Sequence, residues 1–140
     1  MNKGVVLFAI ALLVGAAGCG STDNTTAATT TPTVTRTTDT FSGTVQVRGR
    51  AFHSFPVGAT GQIDVTLTAA TPPSTIVMGI SIGIPGDGTC PALAGASANV
   101  VAGASVQLSG MASAGTFCVD VHDVGNQSAP ISYTVTVTHP

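Results

Sequence analysis

Gly-Thr-Phe-Cys-Val-Asp-Val-His-Asp-Val-Gly-Asn, residues 115–126, is the stretch whose reading decides the fold. Phe117, Val119 and Val121 alternate with Cys118, Asp120 and His122, the period-2 pattern of a half-buried strand. Gly125-Asn126 supplies a turn that ends it. The pattern predicts a central strand. It also carries one of the three cysteines and, in Asp120, His122 and Asp123, much of the small stock of ionisable groups.

The same alternation recurs to either side. Residues 41–48 put Phe41, Gly43, Val45 and Val47 on one face, and residues 52–57 do the same with His53, Phe55 and Val57. Residues 61–69 set Ile63, Val65 and Leu67 against Gln62, Asp64, Thr66 and Thr68. Residues 76–84 run Ile76, Met78, Ile80, Ile82 and Ile84 on one side and small residues on the other. After a short apolar run at residues 105–108, residues 131–138 close the series with Ile131, Tyr133, Val135 and Val137 inward. Residues 85–103 read as a loop. Seven or eight short strands punctuated by Gly and Pro predict an all-β chain, an antiparallel β-sandwich.

Composition agrees. No segment after the first twenty residues offers the Leu/Glu/Lys/Ala mix that helices use, whereas Thr, Val and Gly abound. Lysine plus arginine number 4 against 6 acidic residues, all aspartate, for a formal charge of -2. Arg36, Arg48 and Arg50 are too few to build a basic patch, which excludes nucleic acid as a partner.

The chain opens Met1-Asn2-Lys3, continues with an apolar run from Val5 to Ala17, and reaches Ala16-Ala17-Gly18-Cys19. A basic start, an apolar core too short for a span of about 20 residues, and small residues before a cleavage point predict a signal peptide over residues 1–18. The closing tetrapeptide resembles the lipobox of bacterial lipoproteins, with Ala16 where leucine is usual. That resemblance implies acylation of Cys19 and anchoring in the cell envelope. In a diderm bacterium, Gly20 in place of an aspartate would imply the outer membrane. Eleven of the twenty residues 21–40 are threonine and almost none is apolar. Such a stretch cannot bury enough surface to offset its ordering entropy, so residues 19–40 are expected to form a disordered tether and residues 41–140 the sandwich.

With Cys19 assigned to lipid, Cys90 and Cys118 remain, and in an exported chain two remaining cysteines predict a disulfide. The bridge should lie on the outer side of the central strand and staple the 85–103 loop across it. The pair lacks the C-x-x-C spacing of redox or metal sites.

Asp120 and His122 share a strand face, with Asp123 following at the turn. They read either as a polar outer face open to surface binding, or as the acid-base part of a hydrolase. The second reading also needs a nucleophile and an oxyanion hole, and no G-x-S-x-G occurs. His53, His122 and His139 lack H-x-x-x-H spacing, and His139 is expected at a frayed end, so neither metal nor cofactor is predicted. A lone Asp87 within Pro85-Gly86-Asp87-Gly88 marks a turn.

Gly43, His53-Ser54-Phe55-Pro56-Val57, the run Gly61 to Leu67, Leu108-Ser109-Gly110, Ala114-Gly115-Thr116-Phe117 and Tyr133-Thr134-Val135-Thr136-Val137 together resemble the bacterial pre-peptidase C-terminal domain. The resemblance spans residues 41–140 and implies a jelly-roll-like sandwich of the kind appended to exocellular enzymes. Two positions depart from the family: His53 stands where an aromatic is usual, and Arg48-Gly49-Arg50-Ala51-Phe52 lacks the acidic calcium ligands of some members. The Cys118–Asn126 strand and the closing Tyr133–Pro140 segment also resemble those of small exported bacterial proteins. These features imply a non-catalytic, membrane-tethered accessory or binding module, with polysaccharide or an envelope protein as partner; the alternative is an envelope hydrolase using His122 with Asp120 or Asp123.

Cleavage between Gly18 and Cys19 followed by acylation is expected. Intact-mass measurement should find acyl mass on the mature chain, and Cys19→Ser should leave the uncut precursor; a lipid-free chain cut elsewhere would refute the assignment.

Overall fold

The computed structural model describes residues 33–140; the expected signal peptide, Cys19 and most of the expected tether lie outside the described residues. All regular elements described are strands: β1 (Thr37–Val45), β2 (Arg50–Val57), β3 (Gly61–Thr71), β4 (Val77–Gly83), β5 (Ala92–Val101), β6 (Leu108–Ala112), β7 (Gly115–Asp123) and β8 (Ile131–His139). They form two four-stranded antiparallel sheets, ordered β1-β8-β3-β6 and β2-β7-β4-β5. The pairs β1–β8, β2–β7, β3–β6 and β4–β5 are those of one long hairpin folded at the β4–β5 connection, and the added pairs β3–β8 and β4–β7 roll that hairpin into two layers. This is a jelly-roll β-sandwich, as the alternation and the family resemblance led us to expect.

The alternation places the core. Ile63, Val65 and Leu67 of β3 and Val135 and Val137 of β8 face Met78, Ile80 and Ile82 of β4 and Val119 and Val121 of β7, all buried. β7 lies inside its sheet, hydrogen-bonded to β2 on one side and β4 on the other.

Five details of the strands depart from the sequence reading. The first strand begins at Thr37, inside the threonine-rich stretch, because threonine's branched side chain suits a pleated, half-exposed surface and β8 offers it a matching row. Hydroxyls then pair across the strands, Thr38 with Thr138 at 2.8 Å and Ser42 with Thr134 at 3.0 Å. At the other end of β1, Val47 is 42 % exposed instead of inward. The chain leaves the first sheet there through Arg48, whose φ is 58°, and Gly49, whose N–H donates to Gln46 O at 2.7 Å.

The third departure is β5, read as part of a loop. Its inward side chains are Ala96, Ala98 and Val100, too small to write a strong alternation, yet they pack against the core from the sheet edge. The fourth is Ile84, which follows the end of β4 and is 53 % exposed. The short run expected at residues 105–108 shifts to Leu108–Ala112, and Gln107 serves a different purpose. A register shift between Leu67 and Ala69 interrupts the β3–β8 ladder. Beside it, Gln107 Oε1 accepts from Leu67 N at 2.8 Å while Gly103 N donates to Leu67 O at 2.9 Å, so a side chain and a loop amide supply the bonds an adjacent strand would have made.

Cys90 and Cys118 are bonded to each other and buried. Cys118 faces outward on β7, opposite Gly83 of β4, and Cys90 stands just before β5. A Cβ on Gly83 would overlap the Pro91 carbonyl and come within 3.0 Å of Cys90 Sγ, so this glycine is what lets the stapled segment lie on the sheet. Closing 28 residues stabilises the fold by about 3 to 4 kcal/mol in the chain-entropy picture. Reduction should therefore lower the melting temperature by roughly 10 °C or more, taking about 4 to 8 °C per kcal/mol. A melt unchanged by reductant would show that packing alone holds the segment.

Candidate functional site

Alternate residues of β7 point away from the core, and cross-strand register decides what they meet. Cys118, Asp120 and His122 lie opposite Ser54, Phe52 and Arg50 of β2, and opposite Gly83, Ser81 and Gly79 of β4. The strand is buried on both faces from Phe117 to Val121, not half-buried as the alternation alone predicts. Asp120 is only 1 % exposed.

A buried carboxylate is costly unless it is bonded, and Asp120 is half provided for. His122 Nδ1–H donates to Oδ1 at 2.7 Å. Oδ2 makes no hydrogen bond and lies 3.9 Å from Arg50 Nε, within ion-pair reach. The imidazole itself sits over Gly79, where a Cβ would overlap the ring at Nε2. Asp120 thus fixes which ring nitrogen carries the proton, and Gly79 receives the opposite edge of the ring. The sequence places Asp120 and His122 together, and the structure joins them.

Asp123 does not belong to that pair. Its Oδ1 accepts from the backbone N–H groups of Gly125, Asn126 and Gln127, and its Oδ2 accepts from Arg48 N at 2.7 Å. Desolvation works against ionisation here, but these four donors hold the carboxyl below the usual carboxylate range. Asp123 is therefore the joint between the β1–β2 turn and the end of β7, aided by Gly125 at φ 93°.

A second polar cluster lies inside the sandwich, between the sheets. His53 Nε2 and the Tyr133 hydroxyl are 2.7 Å apart, and Phe41 of β1 stacks on the His53 ring with centroids 4.8 Å apart and planes 7° from parallel. Gly43 leaves room for the tyrosine hydroxyl, which a Cβ would approach to 2.8 Å. Burial raises the Tyr133 pKa, and the negative charge of Asp120 adds to it. Burial lowers that of His53. The position where the resembled family has an aromatic is thus filled by an imidazole stacked on one, a pairing that only the assembled β1, β2 and β8 reveal.

The third histidine is not frayed. His139 is buried at the end of β8, with Nε2 3.0 Å from Asp39 Oδ2 and its ring tilted against Phe55. The three histidines occupy three separate places, and among the described residues no group of three His, Cys, Asp or Glu side chains converges.

The outer face of the first sheet was legible only in part. The Thr134, Thr136, Thr138 row is expected from the alternation of β8, but its neighbours come from register: Thr38, Thr40, Ser42 and Thr44 of β1 lie opposite Thr138, Thr136, Thr134 and Ser132. On the other side Asp64, Thr66 and Thr71 of β3 continue three of the rows, Thr66 being buried. Strands about 4.8 Å apart and same-face residues about 6.7 Å apart make this a regular grid of hydroxyls. Its charges are a closed pair, Arg36 Nη2 to Asp64 Oδ2 at 2.7 Å. Desolvation opposes ionisation of Asp64, but hydrogen bonds from Ser109, Gln62 and Arg36, with the arginine charge, hold its pKa below the usual value.

No family model and no curated protein matches the chain.

The half-buried His53 carries a pH consequence. Its folded pKa lies below the unfolded 6.5, so the unfolded chain takes up the proton first and stability falls as pH drops through that value. Thermal melts at about pH 7.5 and about pH 5.5 should show the loss, and His53→Gln should reduce it. Equal pH dependence in the variant would remove His53 from the account.

Proposed function

We propose that the chain is a non-catalytic, membrane-tethered binding module of the bacterial cell envelope, and that the hydroxyl grid on the outer face of β1, β8 and β3 is its binding face. The observation that carries this reading is the grid itself: a flat, near-neutral array in which Arg36 and Asp64 cancel each other, suited to a partner that exchanges hydrogen bonds without charge. A neutral polysaccharide has that chemistry. The signal-like start, the lipobox resemblance at Cys19 and the resemblance to the pre-peptidase C-terminal domain support placement in the envelope. The outward groups of β7 fit a structural role, because Asp123 is occupied by four backbone donors and the Nε2 edge of His122 rests on Gly79.

One observation favours a second reading, an envelope hydrolase. The bond from His122 Nδ1 to the buried Asp120 at 2.7 Å is the arrangement that orients a general-base histidine in Ser-His-Asp enzymes.

A glycan array probed with the full chain should show retention by uncharged polysaccharides, and the double variant Thr40→Lys/Thr44→Lys should weaken it by about tenfold or more, a loss of about 1.4 kcal/mol. A parallel screen of esterase, peptidase and glycosidase substrates tests the rival. Turnover that disappears in His122→Ala would overturn the non-catalytic reading.

A further inference from the structure

Arg36 fixes where the N-terminal side of the chain meets the sandwich. Its guanidinium donates to Gln62 O, Thr138 O and Asp64 Oδ2, and Gln62 is the register partner of Met111 on β6. Whatever holds the chain upstream of Arg36 therefore holds Met111 close by. This is the end of the sandwich where β1, β3, β5 and β7 begin and β2, β4, β6 and β8 finish.

Large apolar side chains are exposed at that end. Met111 is 72 % exposed, and it is joined by Ile84, just past β4, and by Leu93, near the start of β5. Leu93 and Met111 both line a cleft of about 230 Å³ backed by Ile63, Ile82 and Phe117, and Ile84 continues the chain beyond Ile82. Charge is scarce around them. From Val65 to Val119 the sole charged side chain is Asp87, in the turn after Ile84, and Arg36 is already paired with Asp64.

We propose that this end is a bilayer-contact face, with Ile84, Leu93 and Met111 seated in the interface of a neutral phospholipid membrane; the proposal rests on the membrane-tethered reading above. Reach selects the occupant. Cys19 and Arg36 are 17 positions apart, so an acylated Cys19 holds Arg36 within about 60 Å of the bilayer even at full extension. Contact with the membrane is then an intramolecular event, and a face too weak to bind lipid from free solution is held there by effective concentration. The opposite end suits this less: β1 carries the chain about 30 Å away, to the shorter Val47 and Val124 beside Arg48, Arg50 and Asp123. Charge selects the lipid. With Arg36 paired and Asp87 exposed, the attraction comes from apolar side chains entering the headgroup boundary and not from anionic headgroups. Resting on this end, the strands rise from the membrane and the hydroxyl grid stands along the side of the domain.

Site-specific labelling of the acylated full chain in phosphatidylcholine vesicles tests this. With Cys90 bonded to Cys118 and Cys19 carrying lipid, Ile84→Cys, Met111→Cys and, at the opposite end, Val47→Cys each supply a single free thiol for an environment-sensitive fluorophore. The labels at positions 84 and 111 should shift to the blue and be quenched by lipids bearing a nitroxide on the acyl chain, while the label at 47 stays in water. Added salt should leave the shift unchanged. A melting temperature equal to that of the unsubstituted chain shows that a variant is folded, and either of the two sites serves should the other disturb the domain. Labels at 84 and 111 as wet as that at 47, or equal quenching at 47, would overturn the proposal. So would a blue shift without nitroxide quenching that grows with protein density, the mark of a second copy covering the face. Intact mass of the same sample separates two failures: a chain without acyl mass removes the tethered reading and this face with it, whereas acyl mass with wet labels removes this face alone.

Discussion

The register of β7 between β2 and β4 is the constraint on which the rest depends. One face of β7 feeds Phe117, Val119 and Val121 into the core, and that alternation fixes the other face in the same stroke, placing Cys118 and Asp120 where the sheet leaves them almost no contact with water. Each then needs a partner, and a glycine of β4 makes room for it. For Cys118 it is Cys90, admitted by the bare backbone of Gly83; for Asp120 it is His122, seated on Gly79, with Arg50 within reach. A slip of one residue would put the carboxylate into the core and undo every one of these pairings. The two glycines of β4 are therefore complements of β7, and their missing side chains are as specific as the groups that cover them.

The alternation in β3, β7 and β8 carries large inward side chains, Ile63, Leu67, Phe117, Tyr133 and Val137 among them, and these strands could be read from sequence because each apolar residue differs sharply from its polar neighbours. β5 could not. Its contrast is between alanine and serine or asparagine, and the free energy separating one face from the other is small per residue. The disulfide was legible because, with export expected and Cys19 set aside for lipid, one pairing is left. The approach of Arg50 to Asp120, the joint that Asp123 makes with Arg48 and the stack of Phe41 on His53 each join segments 70 or so residues apart or lie across two strands, and no local pattern encodes the register that brings them together. Asp123 shows the limit well. Beside a histidine in sequence it suggests chemistry, and only the four backbone donors around it identify a turn.

The two outer faces differ in kind. That of the second sheet is closed over by its own chain, through the disulfide and the seated imidazole. That of the first sheet is open over β1, and apart from the paired Arg36 and Asp64 its side chains are short and uncharged, some hydrogen-bonded across strands, as Thr38 is to Thr138 and Ser42 to Thr134. Short β-branched side chains lose little rotamer freedom on contact, so such a face can meet a partner at small entropic cost.

Arg36 stands where the chain enters β1. Its guanidinium donates to the carbonyl of Gln62 on β3, to the carbonyl of Thr138 on β8 and to the carboxylate of Asp64. A pull on the chain from its N-terminal side would otherwise peel β1 from β8 one pair at a time, starting at Thr37 and His139. With Arg36 in place the force reaches three strands together and must shear several bonds at once, as a knot behind the eyelet keeps a cord from fraying the cloth.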